Sequence, residues 1–270
     1  MAKREKIITF TSDFGTSDGY VGAVKGVILS ICPSAMIVDI SHDIPPQDVE
    51  TAAWCLMNAV PFFPEGTIHL AVVDPEVGSE RLPIVIESAS NHIFVGPDNG
   101  IFYLAIGQKR PLRVWSINPE SIESPVEIIS STFHGRDIFA PAAAMIANGV
   151  DIDEIGTKMN PRAIQRLEID ATFQVDDNTV RGKVLHIDRF GNLVTSIPNN
   201  FADKILDGEI ERYPVRAPVP NFSSIKKGQV NFIQGSTGFI EIASFRNSAV
   251  WLTGARKGSF VVARLKRGKE

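Results

Sequence analysis

Only two cysteines occur in 270 residues, Cys32 and Cys55. That is too few for a disulfide framework, so the chain has to be held by its apolar core, and a reducing, cytoplasmic setting is expected. No run of about 18 apolar residues is available for a membrane span, and the opening Met1 to Asp13 does not read as a secretory signal. Charge of neither sign dominates: 27 Lys and Arg face 31 Asp and Glu, for a net charge of -4. Basic residues are scattered until Arg264 to Lys269, which reads as a solvated end rather than a nucleic-acid arm, so neither nucleic acid nor membrane is an expected partner. The chain also lacks the G-x-G-x-x-G and G-x-x-x-x-G-K-[ST] phosphate loops, the G-x-S-x-G nucleophile elbow and the H-E-x-x-H zinc pattern. Internal repeats and low-complexity segments are absent.

What is present is 44% hydrophobic residues, enough to bury one or two cores. Lys6 to Thr11 reads as a strand and stops at the polar loop Thr11 to Asp18. Val21, Val24, Ile28 and Ile31 then recur at helical spacing, with Ser17 or Asp18 as candidate caps and Pro33 as the stop. Gly22 and Gly26 share one face of this helix, which is tolerable if close packing against a neighbouring element or a ligand requires a bare backbone. Met36 to Ile40 reads as a second strand, and Gln47 or Asp48 to Val60 as a second helix. Ile68 to Val73 is a buried strand ending at Asp74-Pro75-Glu76-Val77-Gly78, followed by strands Leu82 to Glu87 and His92 to Val95. Gly96-Pro97-Asp98-Asn99-Gly100, a short helix, a strand near Leu112 to Ser116 and an alanine-rich helix ending at Asn148-Gly149 complete the first half. Strand and helix alternating in this way is the pattern of an α/β layer.

From about Arg166 the pattern changes to short strands: Leu167 to Phe173, Thr179 to Asp188, Leu193 to Ile197, Gln229 to Ile233, Phe239 to Ala243 and Phe260 to Leu265. The expected fold class is therefore α/β, an N-terminal α/β sandwich (1–165) with a largely parallel central sheet. A smaller C-terminal antiparallel β-barrel-like domain (166–270) follows it.

Several polar residues fall just past apolar elements, where open α/β folds place chemistry. Asp13 and Asp18 could take a sugar diol or a cation, or could serve as a helix cap and surface charge. Asp74, Arg81 and His134 could converge, with Arg81 lowering the Asp74 pKa by roughly 1 to 3 units and His134 handling a proton. A surface salt bridge beside a structural histidine fits the same spacing. A metal held by His42, His69 and Asp98 lacks any supporting ligand spacing, so no metal is expected. Asp188, Phe190 and Asn192 suit a planar, hydrogen-bonding ligand such as a purine, or else a β-turn around Gly191. Gly235 to Glu241, which includes Ser236, reads either as a tight hairpin or as a ligand loop.

Taken together, the blocks Thr11-Ser12-Asp13-Phe14-Gly15 with Asp18 to Gly22, Asp39-Ile40-Ser41-His42, Val73 to Gly78, Gly96 to Gly100, Phe133-His134-Gly135-Arg136-Asp137 and Asp188 to Asn192 resemble the S-adenosyl-L-methionine (SAM) hydrolases. These are also called SAM hydroxide adenosyltransferases and are related to fluorinases and chlorinases. The resemblance runs in order over nearly the whole chain. It implies a homotrimer with active sites between subunits, and cleavage of SAM by water to adenosine and L-methionine without a cofactor. It implies Asp13 for the ribose diol, Asp74, Arg81 and His134 around the water, and Phe133 beside the reacting carbon. Asp188 would hold the methionine amino group, Asn192 the adenine and Ser236 the methionine carboxylate, with Asp18, Phe190 and Glu241 completing the substrate set. Gly135 falls where fluorinases have a halide-binding serine. Two departures stand out: Glu76 replaces a common glycine, and Gly235 to Gly238 lacks the Asn-Ser start and the arginine of some relatives. The alternatives are a SAM- or adenosine-binding protein without turnover and a halide-dependent SAM lyase.

Overall fold

Strand β1 (Ile7–Ser12) is buried along most of its length because it lies inside a sheet covered on both faces. In the computed structural model, which describes residues 6–107, 113–125, 129–167, 173–176 and 178–266, the chain divides into two units, Met1–Leu167 and Glu168–Glu270. In the first unit β1 is followed by α1 (Tyr20–Ile31), β2 (Met36–Ser41), α2 (Val49–Ala59), β3 (Ile68–Val72), β4 (Pro83–Glu87), β5 (Ile93–Pro97), α3 (Tyr103–Ile106) and β6 (Arg113–Ile117). A π-helical turn, Gly135–Phe139, leads directly into α4 (Ala140–Asn148), and α5 (Ile152–Ile155) and β7 (Gly156–Met159) close the unit. The sheet order is β2-β1-β3-β5-β4-β6-β7. The pairs β2–β1, β1–β3 and β3–β5 are parallel, and the remaining three are antiparallel.

Alternation along β3 shows why both faces are apolar. Ile68, Leu70 and Val72 pack into one cluster with Val24 and Ile28 of α1 and the alanines of α4, whereas Ala71 and Val73 join Ala52 and Leu56 of α2 on the other side. Full burial of one such aliphatic side chain is worth roughly 1.5–3 kcal/mol. Pro141 sits in the first turn of α4, and Gly149 ends the helix in the left-handed conformation. Asp48 caps α2 by accepting the Thr51 N–H at 2.9 Å.

Two expectations are corrected here, and one strand was not anticipated. The N-cap of α1 is Gly19, with no side-chain bond from Ser17 or Asp18. Gly22 and Gly26 face open space rather than a packed neighbour. The polar stretch after Gly149 contributes strand β7, which pairs with β6 as the antiparallel edge of the sheet.

The second unit contains β8 (Gln174–Val175), β9 (Thr179–Ile187), β10 (Leu193–Pro198), β11 (Ile205–Ile210), β12 (Tyr213–Val219), β13 (Val230–Gln234), β14 (Phe239–Ser244), α6 (Ala249–Thr253) and β15 (Phe260–Leu265). The order β10-β14-β13-β12-β11-β15-β9 closes through a β9–β10 pairing into a seven-stranded barrel, with β8 added beside β9. All of its pairings are antiparallel except β12–β13. Strands β11 and β12 escaped the sequence pattern because Gly208, Pro214 and Pro218 interrupt it. Of the expected strand Leu167 to Phe173, residues 168–172 lie outside the described residues, as do 267–270 of the basic tail. No helix among the described residues is long and apolar enough to cross a membrane.

One buried group makes the fold pH-sensitive. His69 on β3 lies between Thr9 Oγ1 at 2.8 Å and His92 Nδ1 at 3.1 Å, and burial, with the neighbouring His92, pushes its pKa down to about 3. An unfolded imidazole titrates near about 6.5. The stability held by the neutral ring is therefore complete above that value and is lost as pH falls below it. The thermal midpoint is expected to drop between pH 7.5 and pH 4.5, with a shallower slope for His69→Gln, which cannot titrate. Equal slopes in the two proteins would show that His69 is not the group responsible.

Candidate active site

Asp13 and Asp74 leave the carboxyl ends of neighbouring parallel strands, because Ser12 of β1 is in register with Val72 of β3. The chain runs outward from β1 to β2 on one side and returns to β3 on the other. This is the topological switch point where α/β sheets open a crevice.

Asp74 lies two residues beyond β3, on a loop that turns back toward β4. Arg81, just before β4, meets it with both nitrogens of its fork: Nε is 3.2 Å from Oδ1, and Nη2 bonds Oδ2. The two side chains are only 2% and 5% exposed. His134 Nδ1 is 3.3 Å from Arg81 Nη2, so the three residues singled out in the sequence do converge. Phe139 lies beneath the guanidinium at 5.2 Å. The Glu76 backbone also bonds the Asp74 carboxylate. The departure from glycine at position 76 is thus accommodated, since the contact uses the main chain and the Glu76 side chain is exposed.

Two further contacts bring the loops together. Gly78 adopts φ +82 and leaves room for the Ser131 carbonyl, which an added Cβ would meet at 2.6 Å. Asn99 Nδ2 donates to the Val73 carbonyl at 2.8 Å, anchoring the end of β3. On the histidine side, the buried Asp137 accepts the Ser130 N–H at 2.8 Å and the Arg136 guanidinium, which fixes the loop leading to His134.

Proton positions follow from donor chemistry. A guanidinium only donates, so His134 Nδ1 must accept from Arg81, and the ring carries its proton on Nε2. Burial, and then the charge of Arg81, hold the His134 pKa below the usual imidazole range. For Asp74 the expectation is only half met: Arg81 does lower its pKa, but burial outweighs it and leaves the carboxyl above the usual range. A neutral imidazole presenting N–H, next to a carboxylate of raised basicity, can hold one water at its oxygen and take one of its protons.

Asp13 is half-buried, and its Oδ2 accepts the Gln47 N–H at 2.8 Å. Asp18 is exposed in the loop before α1. Phe133 meets Phe14 at 5.7 Å and Tyr20 at 5.3 Å, both edge-on. Phe14 and Tyr20 were not read as site residues; only their position beside Asp13 and Asp18 could have pointed to them. Gly135 lies under this aromatic group, and a Cβ there would meet Val72 Cγ1 at 3.2 Å and Phe14 Cζ at 3.3 Å. The metal candidates are engaged separately: His42 with Ser12, His69 with Thr9 and Asp98 with the Gln165 N–H. Among the described residues no three His, Cys, Asp or Glu gather as a ligand set.

In the barrel unit, Asp188 follows β9. Its Oδ1 accepts the N–H groups of Phe190 and Asn192, and its Oδ2 the Asn192 side-chain amide at 2.8 Å. Gly191 adopts φ +78 and packs against Ser248, the cap of α6, too closely for a side chain. The turn thrusts Phe190 outward, 78% exposed. Phe190, Asn192, Phe222, Phe245 and Arg246 line a largely apolar hollow of about 540 Å³. Sequence reasoning missed Phe222, which lies 30 residues downstream in a segment without a motif. Glu241 is buried, and its pKa is raised by that burial and then by the charge of Asp188. Two neighbouring carboxylates of this kind are suited to share one cation. Ser236 is exposed on the β13–β14 turn, while the neighbouring Thr237 hydroxyl is buried without a partner.

Comparison with known proteins gives matches along most of the chain. Residues 8–156 fit the model of the SAM hydroxide adenosyltransferase N-terminal domain, and residues 182–262 fit that of its C-terminal domain. The (R)-S-adenosyl-L-methionine hydrolase of Thermus thermophilus is 36% identical over 256 residues, spanning 93% of this chain and 96% of its own. The fluorinase of Nocardia brasiliensis is more distant, 29% identical over 226 residues, spanning 75% of this chain and 74% of its own. Among solved structures, an uncharacterized conserved protein from Thermotoga maritima superposes with a TM-score of 0.86. It is 31% identical and the match covers 95% of this chain and 99% of that one.

The Gly78–Ser131 approach holds the Asp74 loop against the loop leading to His134. Gly78→Ala is expected to destabilise the protein by at least about 1 kcal/mol, since it combines a left-handed backbone with a main-chain clash. Denaturant titration measures this; unchanged stability would mean the two loops are not held by that approach.

Proposed function

The chain belongs to the SAM hydroxide adenosyltransferase family, and from that membership we propose that it cleaves S-adenosyl-L-methionine with water. The carrying observation is the buried Asp74–Arg81–His134 group, in which one guanidinium contacts both a carboxylate and an imidazole. The water oxygen attacks the ribose C5′. The C5′–S bond breaks with its electron pair going to sulfur, and the positive sulfonium becomes the neutral thioether of L-methionine. The other product is adenosine. Sulfur needs no acid, so the protein supplies orientation and a place for one proton.

In this mechanism His134 Nε2–H donates to the water oxygen and Asp74 takes the proton. Arg81 holds both groups in place by its planar fork. Asp13 takes the ribose diol and Phe133 lies beside C5′, with Asp18 contributing at the open side. Phe190 and Asn192 hold adenine in the barrel hollow, whose volume is in the range of small-ligand pockets. Asp188 and Glu241 take the methionine ammonium, and Ser236 its carboxylate. We further propose a cytoplasmic homotrimer with sites between subunits, working without a metal or other cofactor. A halide route has less support, because Gly135 carries no hydroxyl where the resemblance to fluorinases implies a halide-binding serine.

Incubation of the protein with SAM in the presence of chelator and absence of halide is expected to yield adenosine and methionine, separable by chromatography. Oxygen-18 from solvent is expected in the adenosine 5′-hydroxyl. Asp74→Asn should lower kcat by about 10²–10⁴-fold, the usual contribution of a positioned base. Intact SAM after prolonged incubation at high protein concentration would instead support a binding protein without turnover.

The pH profile provides a second test. Asp74 must be ionised and His134 neutral, so both active forms are lost as pH falls. The acid limb of kcat/KM is expected above the ordinary carboxylate range, because burial raises Asp74. Asp74→Glu and His134→Asn should each displace that limb, whereas a limb indifferent to both would remove them from the proton path.

A further inference from the structure

A second line of polar groups runs beside Asp13 and takes no part in the chemistry above. Lys25 Nζ donates to Asp39 Oδ2 at 2.6 Å. Asp39 Oδ1 lies 3.1 Å from His42 Nε2, close enough for electrostatic attraction though without good hydrogen-bond alignment. His42 Nδ1 is 2.7 Å from Ser12 Oγ, and Ser12 Oγ accepts the Phe14 N–H at 3.4 Å. The His42 carbonyl takes the Gly15 N–H at 2.8 Å. Ser12 and His42 are buried, and the His42 ring stands edge-on to Phe10 at 4.6 Å.

Donor and acceptor chemistry gives this line a direction. The polar group nearest Nε2 is the Asp39 carboxylate, which only accepts, so the tautomer with its proton on Nε2 is the favoured one. Nδ1 then accepts the Ser12 hydroxyl proton, and the serine lone pairs serve the Phe14 N–H. Serine, histidine and aspartate in a row invite comparison with a hydrolytic triad. Ser12, however, is wholly enclosed and its oxygen faces the backbone, so it cannot act as a nucleophile. What the line does is clamp residues 12, 14 and 15, on either side of Asp13. From the opposite side, Gln47 donates its N–H to Asp13 Oδ2 while held at φ +67, a left-handed conformation unusual for a residue with a side chain.

We propose that Asp39, His42 and Ser12 are positioning residues that fix the Asp13 carboxylate for a vicinal diol, with Gln47 N–H engaging Oδ2 and Oδ1 left to the sugar. This rests on the reading that Asp13 takes the ribose of SAM. Held from both sides, the carboxylate binds the diol without first having to be ordered, and the benefit appears in binding rather than in the bond-breaking step.

The test compares adenosine with 2′,3′-dideoxyadenosine by calorimetry on the full chain. Wild type is expected to favour adenosine. Ser12→Ala should weaken adenosine binding by about 10-fold, the loss expected when one hydrogen bond holding a charged group goes slack, and leave dideoxyadenosine unchanged. His42→Asn, whose amide oxygen replaces Nδ1 toward Ser12, should recover most of the affinity. For SAM, Ser12→Ala should raise KM by the same factor with kcat nearly constant. Each variant's thermal midpoint is measured alongside; if Ser12→Ala fails to fold, Asp39→Asn is used in the same comparison. Unchanged adenosine affinity, or equal loss for both nucleosides in a folded variant, overturns the positioning role while leaving the Asp13 reading in place. A wild-type protein that binds the two nucleosides alike removes the Asp13 reading and the positioning role with it.

Discussion

The buried Asp74–Arg81 pair is the interaction on which the rest of the first unit depends. Each of two charges removed from water costs several kcal/mol, repaid only when the geometry is close to ideal and the remaining polar directions are filled. Asp74 receives two nitrogens of Arg81 and the backbone at Glu76; Arg81 gains His134 Nδ1 and the face of Phe139. One direction is open: Arg81 Nη1 is buried and has no partner. The pair also explains the glycines and amides around it, since Gly78, Asn99 and Asp137 each hold one of the loops that bring it together.

The two units present different chemistry. The α/β unit places charged and aromatic groups at strand ends, where a parallel sheet naturally opens. The barrel unit offers a flat apolar hollow and two neighbouring carboxylates. The first set suits a diol, a water and a carbon centre; the second suits a planar base and an ammonium. SAM combines these features in one molecule.

Much of this was legible in the sequence, for a physical reason. Buried strands such as Ile68–Val72 write themselves as apolar runs, and left-handed turns such as Gly191 require glycine. Asp74, Arg81 and His134 could be picked out because each follows or precedes an apolar element. Their convergence was not derivable from spacing, because it depends on contacts between loops 50 residues apart. Strands β11 and β12 were missed because barrel strands tolerate proline and glycine where one edge bonds weakly. The pKa of Asp74 went the other way from the sequence expectation because burial is a property of the fold and cannot be seen in the pair itself. Phe222 carries no signal at all until the chain is folded around it.

The directions of the two pKa shifts make sense together with the charge that the proposed reaction destroys. A sulfonium becomes neutral as the bond to carbon breaks, so a strongly anionic site would hold the substrate more tightly than the transition state and slow the step. Arg81 cancels the charge of Asp74 without removing its basicity, since burial lifts the carboxyl while the guanidinium keeps it in place. A protonated His134 would bring back an excess of charge next to Arg81, and burial together with that guanidinium disfavours it. The Asp74–Arg81–His134 group is thereby kept near electrical balance while still containing the proposed base. Burial of an ion pair, expensive as a contribution to stability, is what allows a carboxylate to remain a useful base beside a positively charged substrate.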